Sequence, residues 1–277
     1  MTADTLVLQA PAKLNLFLHV LGRRADGYHR LQTVFQLIDL CDEVTLVATD
    51  GGHIRRDPPS DDPVLAALPD AADLCVRAAL ALQAHSACRR GVKLHVRKRI
   101  PAGGGLGGGS SDAAAVLCGL NRLWGLGLDV DTLARIGLSL GADVPVFVRG
   151  HNAWAEGVGE QLTPLVLPPQ WYVVLRPPVA VPTAEVFGAP ELTRDTPPIT
   201  IADFLAGAGR NDCEPVVCQR HPEVARALAW LGQHAPARLT GTGSCVFAGF
   251  SQPAQSQAVA AAAVAAGWQA WAVRGIG

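Results

Sequence analysis

No run of about 18 consecutive apolar residues occurs, so no segment is built to cross a bilayer as a helix, and no membrane partner is expected. An excess of one charge is missing too: 23 Lys and Arg stand against 24 Asp and Glu. That balance excludes the strongly basic footprint of a nucleic-acid binder. Cys-x-x-Cys is absent. Seven cysteines, an odd number, are scattered at 41, 75, 88, 118, 213, 218 and 245. The nearest metal-like grouping, Cys213, Cys218 and His221, matches no standard zinc spacing, so no metal is expected there. Reduced thiols fit a cytosolic protein. The opening MTADTLVLQAPAK lacks the charged start and apolar stretch of a secretory signal, so a cytoplasmic location is expected. Tyrosine is scarce, with two in the chain.

What is present is enough apolar sequence, 49% of 277 residues, for a sizeable core in one large or two ordinary domains. AKLNLFLHV alternates strictly: Leu14, Leu16, Leu18 and Val20 face one way, Lys13, Asn15, Phe17 and His19 the other. This predicts a half-buried strand with Lys13 and Asn15 side by side on its polar face. TVFQLIDL and EVTLVAT read as two strands around a Cys41–Asp42 corner, and 50–69 as an irregular loop. DLCVRAALALQAHSA has helical spacing, with Leu74, Ala78, Ala81 and Leu82 on one face. GVKLHVRKRI reads as a strand with Val92, Leu94 and Val96 inward. Ala113, Val116, Leu117, Leu120, Leu123 and Trp124 form the stripe of an amphipathic helix, capped by Ser110 or Ser111, with Asp112 in its first turn. DVDTLARIGLSLG reads as a second helix, and VPVFVRG and NAWAEGV as strand pieces. Pro164, Pro168 and Pro169 mark a composition break. The expected organisation is therefore an N-terminal lobe at 1–160 and a C-terminal lobe at 161–277, both α+β rather than doubly wound.

Six of the seven residues from 103 to 109 are glycine, in PAGGGLGGGSSDAAA. Ordering such a stretch is costly in backbone entropy. A Walker A loop fails, because Gly109 stands where its lysine belongs. Gly103, Gly105 and Gly108 satisfy a dinucleotide fingerprint, but Asp129 and Asp131 open a helix instead of ending a second parallel strand. A third reading is a strand, glycine loop and helix start whose bare N–H groups hold phosphate, with Lys98 and Arg99 adding charge. A plain flexible loop or tight turn remains the alternative.

The glycine segment resembles the phosphate loop of the GHMP kinase superfamily. PAKLNLFLHVLGRRADGYHRLQT, GADVPVFVRGHNAWAEGVGE, NDCE and RLTGTGSCVFA resemble, in the same order, the branch acting on a cytidine-diphosphate-linked methylerythritol in the route to isoprenoids. The resemblance implies a two-lobed GHMP kinase fold. Its N-terminal lobe would be like ribosomal protein S5 domain 2, its C-terminal lobe ferredoxin-like, and its active site would lie in the cleft between. It implies transfer of the γ-phosphoryl group of ATP to the 2-hydroxyl of that small-molecule substrate, with Mg²⁺. A monomer or homodimer is expected, and the sequence does not decide between them. The alternatives are another GHMP small-molecule kinase or a non-catalytic nucleotide-binding protein.

Carried over residue by residue, the resemblance makes Asp143 and Lys13 catalytic. Against this, Asp143 could merely cap a short turn led by Pro145, and Lys13 could be a solvated surface charge. Lys98, Pro101, Gly103, Gly104, Gly105, Leu106, Gly107, Gly108, Gly109, Ser110 and Ser111 would bind ATP, with a serine hydroxyl near Mg²⁺. Tyr28 and Phe187 would sandwich cytosine, and His29 would read its polar edge. Asn15 would orient substrate or lysine. Thr240, Gly241, Thr242 and Gly243, in TGTGS, would bring small residues and N–H groups to the substrate; a strand-end turn is the alternative. Asp73 departs from the asparagine common near the nucleotide in this branch.

Overall fold

The computed structural model describes residues 4–56 and 69–277. Its strands are β1 (Thr5–Arg23), β2 (His29–Thr49), β3 (Ile54–Arg56), β4 (Gly91–Arg97), β5 (Ala153–Glu156), β6 (Gln161–Pro164), β7 (Trp171–Arg176), β8 (Ala237–Leu239), β9 (Val246–Phe250) and β10 (Gln269–Ile276). Its helices are α1 (Leu74–Ser86), α2 (Gly108–Leu123), α3 (Val130–Leu138), α4 (Val144–Arg149), α5 (Thr183–Gly188), α6 (Ile201–Leu205), α7 (Glu214–Arg220), α8 (Pro222–Leu231) and α9 (Pro253–Ala265). They form two compact units, each gathered from separate stretches. Unit 1 takes the chain up to Ala12, Leu40–Ile100 and Gly107–Gly150; unit 2 takes Lys13–Asp39, Pro101–Leu106 and His151–Gly277. A boundary near residue 160 divides the sequence; these units divide the packing.

In unit 1 the second half of β2 runs antiparallel to β4, from Glu43 opposite Arg97 to Thr49 opposite Gly91, and β3 runs parallel to β4. Val92, Leu94 and Val96 are buried, as the period of two requires. Helix α2 buries the Ala113, Val116, Leu117 and Leu120 stripe and packs against α1 and α4. Gly119 lets it approach closely: a Cβ there would lie 2.5 Å from methyl carbons of Leu46 and Leu8. In unit 2 the first half of β2 pairs antiparallel with β5, placing Thr33 opposite Ala155. Strand β7 lies between β10 and β9, antiparallel to both, with β8 beyond β9. Val173, Leu175, Val246 and Ala248 meet Val217, Val224 and Leu231 from α7 and α8 in its core.

Several expectations need correction. The two strands expected around Cys41–Asp42 are one, β2. Asp42 needs no turn because its buried carboxylate accepts from the N–H groups of Arg99 and Ile100 and from Lys98. VPVFVRG is not a strand but α4, started by Pro145 and closed by Gly150 at φ 71°. All of Val144–Val148 is buried, so its apolar run carries no period. Neither serine caps α2: Gly107, at φ 73°, takes that position, and Ser110, Ser111 and Asp112 lie inside the helix. The polar face of β1 is not exposed; Lys13, Asn15 and His19 are as buried as the leucines opposite. Helix α1 buries Cys75, Val76 and Ala79 with Ala78 and Leu82, leaving Leu74 and Ala81 half-buried. Within the loop expected at 50–69, β3 occupies Ile54–Arg56, and 57–68 lie outside the described residues.

Candidate active site

The glycine segment is shaped by its neighbours. In unit 2, Gly103 and Gly105 sit at φ 69° and 75°, where a Cβ is disfavoured. A Cβ on Gly104 would lie 2.6 Å from the sulfur of Cys245, and one on Gly105 would fall onto the Thr240 carbonyl oxygen. The carbonyls of Gly103, Gly104 and Leu106 accept from the N–H groups of Ser244, Cys245 and Lys13 at 3.3, 3.1 and 3.0 Å. The segment thus spends its oxygens on the protein. The N–H groups of Gly103–Leu106 have no protein acceptor among the described residues. Sequence reasoning treated the glycine segment and TGTGS separately; they lie against each other.

Lys13, Asn15 and Thr240 converge in the same unit. Lys13 Nζ donates to Asn15 Oδ1, Asn15 Nδ2 donates to Thr33 Oγ1 at 3.0 Å, and the Asn15 N–H donates to Thr240 Oγ1 at 2.9 Å. A Cβ on Gly241 would approach Asn15 Oδ1 and Lys13 Nζ at 3.2 and 3.5 Å. Asn211 holds that turn by donating to the carbonyls of Leu239 and Gly241 at 2.9 and 2.8 Å. Asp212 accepts from the Val20 N–H at 2.8 Å, and Glu214 from the Leu239 N–H at 2.8 Å. NDCE therefore supports the site from behind. Thr183 and Thr242 share a hydroxyl–hydroxyl bond of 3.0 Å.

The aromatic residues of the expected sandwich lie in unit 2. Phe187 stacks on His29, with centroids 5.1 Å apart and planes at 21°. Tyr28 is 64% exposed. Burial, then the charges of Arg194 and Arg23, lower the His29 pKa. Arg194 donates to His29 Nε2, and no sequence signal singled it out.

Unit 1 holds the remaining residues. Lys98, expected at the phosphates, is half-buried between Asp42 and Asp112, and a Cβ on Gly108 would lie 3.3 Å from its Nζ. Burial opposes its charge, but the two carboxylates outweigh that and raise its pKa. Burial pushes the Asp112 carboxyl up to about 7, against the pull of Lys98 and with the repulsion of Asp42. A raised carboxyl pKa means that the folded state holds the proton longer, so stability falls as pH rises from about 4 to about 7. Asp112→Asn should remove that loss: its melting temperature, compared with wild type, should climb across this window. A constant difference between the two proteins would refute this. Ser111 Oγ and Asp112 Oδ1 are buried without a partner among the described residues. Asp143 stands at the N-cap of α4 but makes no side-chain capping bond, so capping is not its role. Asp73, by contrast, caps α1, accepting from the N–H groups of Cys75 and Val76 at 2.7 and 3.2 Å, and pairs with Arg56 at 3.1 Å. Its carboxylate has a structural use that an asparagine would serve less well.

The fold and these segments define a GHMP kinase: family models of the N-terminal and C-terminal GHMP kinase domains match residues 73–151 and 198–269. A relative in Halorhodospira halophila, named 4-diphosphocytidyl-2-C-methyl-D-erythritol kinase, is 60% identical over 91% of this chain and 87% of its own. One of the same name in Nitrosococcus oceani is 55% identical over 98% and 94%. A crystal structure of 4-(cytidine 5'-diphospho)-2C-methyl-D-erythritol kinase superposes with a TM-score of 0.83 at 33% identity, covering 98% of this chain and all of that one. Mevalonate kinase of Methanococcus jannaschii shares the fold, with a TM-score of 0.68 at 15% identity over 99% of each chain. The chain belongs to the 4-diphosphocytidyl-2-C-methyl-D-erythritol kinase family.

Proposed function

We infer that this protein transfers the γ-phosphoryl group of ATP to the 2-hydroxyl of 4-diphosphocytidyl-2-C-methyl-D-erythritol, a step toward isoprenoids. Near full-length identity of 60% to a kinase of that name carries the reading. The alcohol oxygen bonds to the γ-phosphorus, the bond from that phosphorus to the β-bridging oxygen breaks, ADP leaves, and the hydroxyl proton passes to Asp143. That proton moves late, as the new bond forms, so a positioned acceptor matters more than a strong base. Lys13, oriented by Asn15, offsets charge on the transferring group.

The glycine N–H groups and the start of α2 take the triphosphate. Ser111 Oγ, a buried hydroxyl without a partner among the described residues, suits a Mg²⁺ ion or phosphate oxygen. The ion supplies charge neutralisation on the phosphates. Lys98 acts through Asp42 and Asp112, whose paired charges steady the same segment. Tyr28 and Phe187 stack the cytosine, worth roughly 1–3 kcal/mol per base, and His29, on the same side of the Phe187 ring as the base, meets its edge. We assign the site to a cytoplasmic enzyme with no nucleic-acid partner.

The test is ADP release by the purified protein. It should depend on the cytidine-linked alcohol and stay at background with homoserine or mevalonate. Equal turnover of all three would overturn the substrate assignment.

A further inference from the structure

The guanidinium of Arg194 makes four hydrogen bonds within unit 2. Its Nη2 donates to the carbonyls of Phe187 and Ala189 at 2.9 and 2.7 Å, its Nη1 to that of Leu192 at 3.0 Å, and its Nε to Nε2 of His29 at 3.1 Å. Arginine stays protonated and has only donors. The His29 nitrogen that accepts from it therefore carries no proton. In a neutral imidazole the proton must then sit on Nδ1. Burial and the charges of Arg194 and Arg23 keep this ring neutral. Nδ1 makes no hydrogen bond with the described residues.

We propose that Arg194 is a positioning residue of the pyrimidine site: by occupying Nε2 of His29 it leaves Nδ1–H as the one ring group facing the base edge, and so favours cytosine over uracil. This rests on His29 meeting the base, as read above. Cytosine has an acceptor at N3, whereas uracil has an N–H there. A donor at Nδ1 pairs with the first and opposes the second. Without Arg194 the ring proton is free to move to Nε2, which turns Nδ1 into an acceptor that suits uracil as well. The same guanidinium grips the Phe187 carbonyl, so one side chain orients both rings of the stacked pair.

Two readouts test the proposal. Nitrogen-15 NMR of the imidazoles, with the His29 signals assigned through His29→Gln, should show Nδ1 protonated and Nε2 bare in the wild type. In Arg194→Met that form should give way to a tautomer mixture. KM for the cytidine-linked alcohol should rise roughly ten- to hundredfold, as for a lost bond to a charged group. KM for ATP should stay within about twofold. Preference over the uridine-linked alcohol should fall together with the tautomer. Arg194→Lys keeps the charge and some donors, should fall between, and serves if the methionine variant does not fold. A wild type protonated on Nε2, or variants that keep both tautomer and cytosine preference, would overturn the proposal. A wild type with Nδ1–H that phosphorylates no cytidine-linked alcohol would overturn the substrate reading, and the base selectivity with it.

Discussion

Asp143→Asn is expected to lose about 10²- to 10⁴-fold in kcat, the usual range for a positioned proton acceptor, while ATP still binds near its wild-type affinity. The amide keeps the size and hydrogen-bonding reach of the carboxylate but cannot take the hydroxyl proton. Helix α4 keeps the packing of its buried Val144–Val148, so the fold should survive the exchange. Steady-state kinetics, calorimetric titration with ATP and a melting curve together check this. A kcat close to wild type would remove Asp143 from the chemistry, and a collapsed melting temperature would make its role structural.

Gly105→Ala should be the most damaging exchange in the glycine segment. The position is left-handed, at φ 75°, and its Cβ would land on the Thr240 carbonyl with Gly243 close by. Left-handed strain and overpacking together give a loss of about 2–5 kcal/mol. The backbone shift that relieves the overlap would also disturb the N–H groups assigned to phosphate, so ATP affinity should fall as well. Gly109→Ala makes the contrast. That residue is helical, and its Cβ would meet only Leu74, at an ordinary 3.5 Å. It should leave stability unchanged or raise it by about 0.5–1 kcal/mol. Urea denaturation of the two variants decides; equal behaviour would mean that the close approach of Gly105 to Thr240 does not constrain the segment.

The parts of the fold legible in the sequence were those with one clear period. Strand β4 and the stripe of α2 each bury one face, so spacing alone revealed them. Where both faces are buried, spacing fails: α4 looked like a strand, and Lys13 looked exposed because the second layer over β1 comes from residues far along the chain. Asn15 bonds to Thr240 across 225 positions, which no local pattern encodes. Asp42 looked like a corner because its partners, Lys98 to Ile100, are more than 50 residues away. The candidate site was legible where chemistry concentrates in short motifs, as in PAGGGLGGGSSDAAA and DGYH. Arg194 escaped because one arginine in LTRDTPP differs in nothing from a surface charge until its four acceptors are seen.

The interleaving of the two units bears on how the chain can fold during synthesis. Ile276 of β10 lies opposite Leu37 of β2, and β10 also borders β7 along six residues. At about 5–20 residues per second, roughly 10–50 s separate the emergence of these partners from the ribosome. Thr33–Phe35 can pair with β5 earlier, but Leu37 and Ile38, in the earliest segment of unit 2, must wait for β10. A nascent chain paused near residue 160 therefore offers chaperones an open sheet, not a finished lobe.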